Sequence, residues 1–147
     1  FPYKAPEKPV REDVIFEKIK VEKDKLTVLI AEDNAGNFKL FETILKNDYT
    51  IVHAWNGKEA VELFKEYEPH IVLMDINMPE MNGYEATKEI RKLSEVIPII
   101  AVTAYAFASD EEQVMNSGFD AYASKPLNAS ALKKQMVDLL RARVFVI

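Results

Sequence analysis

From Leu26 onward the hydrophobic positions of this chain fall into two alternating patterns. Short, nearly unbroken apolar runs, "LTVLIA", "YTIVHAW", "HIVLMD", "IPIIAVT" and "DAYASK", read as strands. Between them lie stretches whose apolar residues recur every three or four positions, as one face of a helix requires. "GNFKLFETILKN" places Phe38, Phe41, Ile44 and Leu45 on such a face, and "GKEAVELFKEY" does the same with Ala60, Val61, Phe64 and Tyr67. "GYEATKEIRKL", "SDEEQVMNSG" and "ASALKKQMVDLLRAR" complete five strand–helix units. Such a repeat calls for an α/β fold, parallel strands with helices on both faces. "HIVLM" and "IPIIAV" lack polar alternation, which marks them as central strands buried on both sides. Helix ends are punctuated as well. Asn56 or Gly57 starts one helix, Ser109 with Glu112 makes a capping box for another, and Gly118 closes it.

Residues 1–25 follow neither pattern. "FPYKAPEKPV" holds three prolines, which fix φ and remove backbone donors, so an extended linker is expected there. "REDVIFEKIKVEKDK" scatters its apolar residues at no clean period and reads as more linker, with room for a strand or short helix. The expected division is linker 1–25, domain 26–143 and tail 144–147, the apolar tail either packing on the domain or forming an interface. Because it opens on Phe1, the chain is expected to be an excised piece of a longer protein.

Composition narrows the function classes. A chain of 147 residues has room for one domain with a real core and a short appendage. A net charge of −5, with no basic run standing apart from acids, argues against nucleic-acid binding. With no cysteine, disulfides, zinc–thiolate sites, iron–sulfur clusters and thiol nucleophiles are excluded, which suits a reducing, cytoplasmic setting. The longest uncharged apolar run, "VIPIIAVTAYAFA", is broken by Pro98 and falls short of the roughly 18 residues of a membrane span. No secretory start is visible, and no membrane contact by this piece is expected.

The candidate chemistry emerges when the strands are laid side by side. "LTVLIA" runs into Glu32 and Asp33, "IVLM" into Asp75, "IIAV" into Thr103 and "AYAS" into Lys125. In a parallel sheet all carboxyl ends share one edge, where open α/β sheets place their sites. Acids packed together there repel one another unless a cation joins them. An oxygen-only cluster without His or Cys favours a hard cation, Mg²⁺ above all. Lys125 and Thr103 add a positive charge and a hydroxyl suited to a phosphoryl group. Asp75 is then a potential nucleophile whose carboxylate attacks phosphorus to form an acyl phosphate, with Mg²⁺ held by Asp33 and Asp75.

These same residues carry a family resemblance. "VLIAEDN", "VLMDINMPEMNGYEA", "AVTAYA" and "SKPL", in this order across 26–143, resemble the receiver (response-regulator) domain of two-component signalling. The resemblance implies the flavodoxin-like doubly wound sheet with strand order 2-1-3-4-5. It implies that Asp75 is the phosphoacceptor, accepting from a phosphohistidine. Mg²⁺ would be bound by Asp33, Asp75 and the backbone carbonyl of Asn77, with Glu32 helping through water. Thr103 would be the switch hydroxyl, Lys125 the phosphoryl contact on a cis bond to Pro126, and Tyr122 the aromatic rotamer switch. Asn77 and Tyr105 would tune the lifetime of the phosphorylated state. "AEDNAGNFKLF" and "NGKEAVELF" resemble the receivers of hybrid sensor histidine kinases, and "FPYK" resembles the end of a kinase ATP-binding domain. A histidine kinase domain or a histidine phosphotransfer protein is the implied partner, with dimerisation through the last helices and strand as an option. No DNA-binding domain follows within the chain, so direct transcriptional output is not expected of this piece.

Blander readings compete at each position. Asp75 alone could begin a turn, Glu32–Asp33–Asn34 could cap the next helix, and Lys125 could be a solvated lysine. Only their joint placement on one edge favours a site. A phosphatase or phosphotransferase with an aspartate nucleophile is the rival enzyme reading. Such enzymes commonly use a second acid two residues after the nucleophile, where this chain has Asn77. A receiver-like binding module that is never phosphorylated is the third reading, disfavoured by the intact set of acids, Thr103 and Lys125. Met74, Met78, Met81 and Met115 read as core or loop packing. His53 and His70 read as lying away from the acidic edge, and Trp55 as packing after the second strand and reporting poorly on the site.

Overall fold

The computed structural model describes residues 26–104 and 108–146. The linker 1–25, Tyr105, the Ser109 side chain of the expected capping box and the side chains of the 144–147 tail lie outside the described residues. Each apolar run forms a strand: β1 Leu26–Ala31, β2 Tyr49–Ala54, β3 Ile71–Asp75, β4 Ile99–Thr103 and β5 Ala121–Ser124. The helices that follow them are α1 Ala35–Leu45, α2 Gly57–Tyr67, α3 Gly83–Leu93, α4 Ala108–Met115 and α5 Ala129–Val146. The last runs through the boundary expected after residue 143. All four strand pairings are parallel, in the order β2-β1-β3-β4-β5. This is the flavodoxin-like doubly wound topology.

Successive strand residues point to opposite faces, and here both faces are covered. Val28, Ile30, Ile71, Leu73, Ile100 and Val102 pack with Phe41 and Leu45 of α1 and Leu132 and Met136 of α5. Their neighbours Leu29, Val72, Met74, Ile99 and Ala101 pack on the other face, against Ala60 and Phe64 of α2, Ile90 of α3 and Val114 of α4. The central strands therefore need apolar residues at every position. The expected helical face of α2 ends one turn early: Tyr67 is 52% exposed, because Glu68 turns left-handed and the chain leaves the sheet. Met115, expected to pack, is also exposed at the end of α4.

Register carries the fold into the site. Ala31 of β1 pairs with Met74 of β3, so the next positions along both strands are Glu32 and Asp75. By the two-residue period both continue the α1/α5 face of their strands. Asp75 in turn pairs with Val102, one residue before Thr103. Four helices then begin with an asparagine whose side-chain oxygen accepts a backbone N–H of the first turn: Asn34 from Asn37, Asn56 from Glu59, Asn82 from Glu85 and Asn128 from Ala131. At Asn82 the Glu85 carboxylate reaches back to complete a capping box.

The loop between β3 and α3 is braced from α2. The Gly57 N–H donates to the Met81 carbonyl over 3.0 Å. A Cβ built on Gly57 would overlap that carbonyl, so the two segments can approach only because residue 57 lacks a side chain. Gly57→Ala should therefore lower stability by about 1–3 kcal/mol, as overpacking does. Urea unfolding checks this; an unchanged midpoint would show that the brace is slack.

Candidate functional site

The carboxyl ends of β1, β3 and β4 and the loop after β5 converge on one cluster. Glu32 is fully buried, and Asp75 and Thr103 are each 4% exposed, while Asp33 is exposed. One carboxylate oxygen from each of Glu32, Asp33 and Asp75 lies within 4.8 Å of the others. Lys125 closes the cluster from the β5 side, its Nζ 3.2 Å from Glu32 Oε1 and 3.5 Å from Asp75 Oδ2. The Lys125–Pro126 peptide bond is cis, and the Lys125 N–H continues the ladder by donating to the Thr103 carbonyl.

Backbone donors occupy the remaining oxygens. The Asn34 N–H donates to Glu32 Oε2 and the Asn77 N–H to Asp75 Oδ1, both over 3.1 Å. Asn34 thus caps α1 with its side chain while its main chain serves the acid. The capping and site readings of "EDN" both hold, divided among its residues. Asn77 itself is exposed, beside Asp75 in the loop that Gly57 braces. Tyr122 is half-buried against the α2/α3/α4 core, its carbonyl accepting from Gln135 of α5.

His53 is the residue that sequence reasoning misplaced. Its Nε2 lies 2.9 Å from the Glu32 carbonyl oxygen, so it touches the acidic edge it was expected to avoid. The cause is register: Ala54, next to it, pairs with Ala31, which puts the His53 ring beside the end of β1. Trp55 follows β2 as expected and packs against that ring at 4.1 Å and 44°, while remaining 46% exposed. His70 does sit at the opposite end, accepting the Thr27 N–H at the start of β1.

Burial, and then the Asp75 charge, push the Glu32 carboxyl up to about 7, against the pull of the Asn34 N–H and Lys125. Three acids sharing one lysine are short of positive charge, and an all-oxygen donor set fits a hard divalent ion such as Mg²⁺.

The family model for the response regulator receiver domain matches residues 28–137, and the chain belongs to this family. Its function is that of a receiver domain in two-component signalling. The polar-differentiation response regulator DivK of Brucella anthropi is 43% identical over 105 residues, covering 69% of this chain and 85% of its own. Among solved structures, the receiver domain of Saccharomyces cerevisiae Ssk1, crystallised with the histidine phosphotransfer protein Ypd1, superposes with a TM-score of 0.76 and 31% identity, covering 82% of this chain and 92% of that one. The receiver of the Pseudomonas aeruginosa sensor histidine kinase PA1611, with magnesium in its active-site cleft, gives 0.74 and 30%, covering 79% of this chain and 98% of that one.

A raised carboxyl pKa sets a pH dependence. Folded Glu32 titrates near 7 against an ordinary 4.5, so between these values the native state holds the extra proton. Its contribution to stability is full below 4.5 and is lost as pH rises through 7, by at most about 3 kcal/mol. Thermal melts should show this loss in the wild type and a flatter profile in Glu32→Gln. Mg²⁺ should raise Tm more at pH 8 than at pH 5.5, because protons compete with it. Equal shifts at both pH values would refute the assignment.

Proposed function

We propose that Asp75 is the phosphoacceptor of this domain and that it takes the phosphoryl group from a phosphohistidine. The observation that carries this reading is the setting of Asp75: a nearly buried carboxylate with the Asn77 N–H on one oxygen and Lys125 facing the other. An Asp75 oxygen attacks phosphorus; the P–O bond forms as the P–N bond breaks, and the imidazole nitrogen leaves with the bonding electrons. Lys125 shifts its charge from Asp75 Oδ2 to a phosphoryl oxygen, and Thr103 donates its hydroxyl to the new oxygens. Asp33, Asp75 and the Asn77 carbonyl would hold Mg²⁺, with Glu32 acting through water, and the ion would supply positive charge to the transferring phosphoryl group.

Drawing Thr103 toward the phosphoryl group lets Tyr122 turn further inward, a population shift read by partners at the face of α4, β5 and α5. Tyr122 lines a groove of about 410 Å³ between β5 and α5, which supports a change in that surface, including one sensed by a second copy. Asn77 and Tyr105 tune how long the acyl phosphate lasts. The PA1611 receiver belongs to a sensor kinase and the Ssk1 receiver was captured with a phosphotransfer protein. By analogy this chain is the receiver of a hybrid histidine kinase, with residues 1–25 as the linker, working in the cytoplasm. Among the described residues no helix is long and apolar enough to cross a membrane. The rival small-molecule phosphatase lacks its second acid, since Asn77 stands two residues after Asp75.

Acetyl phosphate with Mg²⁺ should add one phosphoryl group by intact mass, and Asp75→Asn should abolish it. Lys125→Ala should slow the addition about 10²-fold. An adduct that survives in Asp75→Asn, or none in the wild type, would overturn the proposal. Sustained phosphate release from small phosphoesters would favour the phosphatase.

A further inference from the structure

His53 meets the main chain of Glu32 rather than its carboxylate, and is thereby tied to the segment that carries two candidate ligands. The main-chain bond from the Glu32 N–H to the Ala54 carbonyl, 2.9 Å, is the last rung between the ends of β1 and β2. Beyond it the chains part, Asn34 to cap α1 and Asn56 to cap α2. The Glu32 carbonyl is then met by a side chain, His53 Nε2 at 2.9 Å. A carbonyl oxygen only accepts, so Nε2 carries the hydrogen.

The ring is not free to swing. Phe38 of α1 stacks on it with centroids 3.6 Å apart and planes 3° from parallel, and Trp55 packs at 44°. Phe38 also donates its N–H to the Asn34 carbonyl, and Asn34 donates its own to Glu32 Oε2. Glu32, Asp33, Asn34, Phe38 and His53 therefore form a closed circuit of covalent, stacking and hydrogen-bonded links. A loop of exposed backbone between a strand and a helix would otherwise be the least constrained part of the cluster.

We propose that His53 is a positioning residue of the cation site: its Nε2–H fixes the Glu32 carbonyl and so sets where Glu32 and Asp33 present their carboxylates. The proposal rests on the reading above that these acids hold Mg²⁺. Fixing the ligands in advance lowers the ordering cost of binding, as outer partners of metal ligands do elsewhere.

Two substitutions separate the hydrogen bond from the ring. Glutamine has the same reach as histidine and keeps an N–H donor at its tip; methionine has the same reach and no donor. In His53→Met the Kd for Mg²⁺, measured by calorimetric titration, should rise about tenfold. Its phosphorylation by acetyl phosphate should be slow at low Mg²⁺ and return to near the wild-type rate at saturating Mg²⁺. His53→Gln should behave as the wild type in both assays. Urea unfolding of the same samples separates a metal effect from lost stability. If His53→Met does not fold, Phe38→Leu should shift the Kd in the same direction by freeing the ring. Equal Mg²⁺ affinity in wild type, Gln and Met variants would overturn the proposal, as would equal weakening in Gln and Met, or an unchanged Kd in Phe38→Leu. A wild type that neither binds Mg²⁺ nor gains an adduct overturns the site reading itself. A wild type that does both, beside variants that match it, sinks only the role of His53.

Discussion

Two carboxylates, Glu32 and Asp75, stand at neighbouring register positions on the same face of adjacent strands, one fully buried and the other nearly so. In a low-dielectric setting their repulsion is large, and burial adds the loss of water. Much of what surrounds them offsets that. Lys125 reaches between them from the end of β5, two strands beyond β3, Asn34 and Asn77 turn their N–H groups inward, and Glu32 still drifts toward its neutral form. The domain thus maintains a deficit of positive charge at one point, which is the condition for capturing a cation and then an electrophile such as phosphorus.

The sheet makes that deficit possible without unfolding the protein. Hydrophobic residues fill both faces behind the acids, from Val28 to Ala31 and from Ile71 to Met74, and none of these is more than 1% exposed. That packing holds the two backbones in register, so the carboxylates cannot separate by sliding. The rest of the site lies on loops, and these are braced in turn: the β3–α3 loop by Gly57 and the β1–α1 loop by His53. The β2–α2 junction supplies both braces while contributing no carboxylate.

Most of the fold was legible because its determinants are local. Unbroken apolar runs identify strands buried twice over, and the polar residue ending each run marks the sheet edge that carries the site. Asp75, Lys125 and Thr103 stand out for that reason. The capping box at Asn82 and Glu85 is equally local, written as "NGYE". His53 was hidden for a different reason. Its role depends on the offset between β1 and β2, which the helix between them and the packing of Phe41 and Leu45 determine. Period alone says that His53 is in a strand, not which atom of a neighbouring strand it meets. Tyr67 misled because helical spacing continues past the point where the sheet it would face has ended.

The asparagine caps have a consequence for how this chain ages. Asn56 and Asn82 each precede glycine, the pairing in which an unhindered backbone nitrogen most readily attacks the side-chain amide and expels ammonia. Here both attacking nitrogens are engaged: the Gly57 N–H donates to the Met81 carbonyl and the Gly83 N–H to the Ile76 carbonyl. Both amide oxygens are engaged as well, each accepting from the first turn of its helix. The cyclic imide that leads to isoaspartate cannot form without breaking these bonds. Chemical decay at either junction therefore waits on local opening of the same segments that brace the acids.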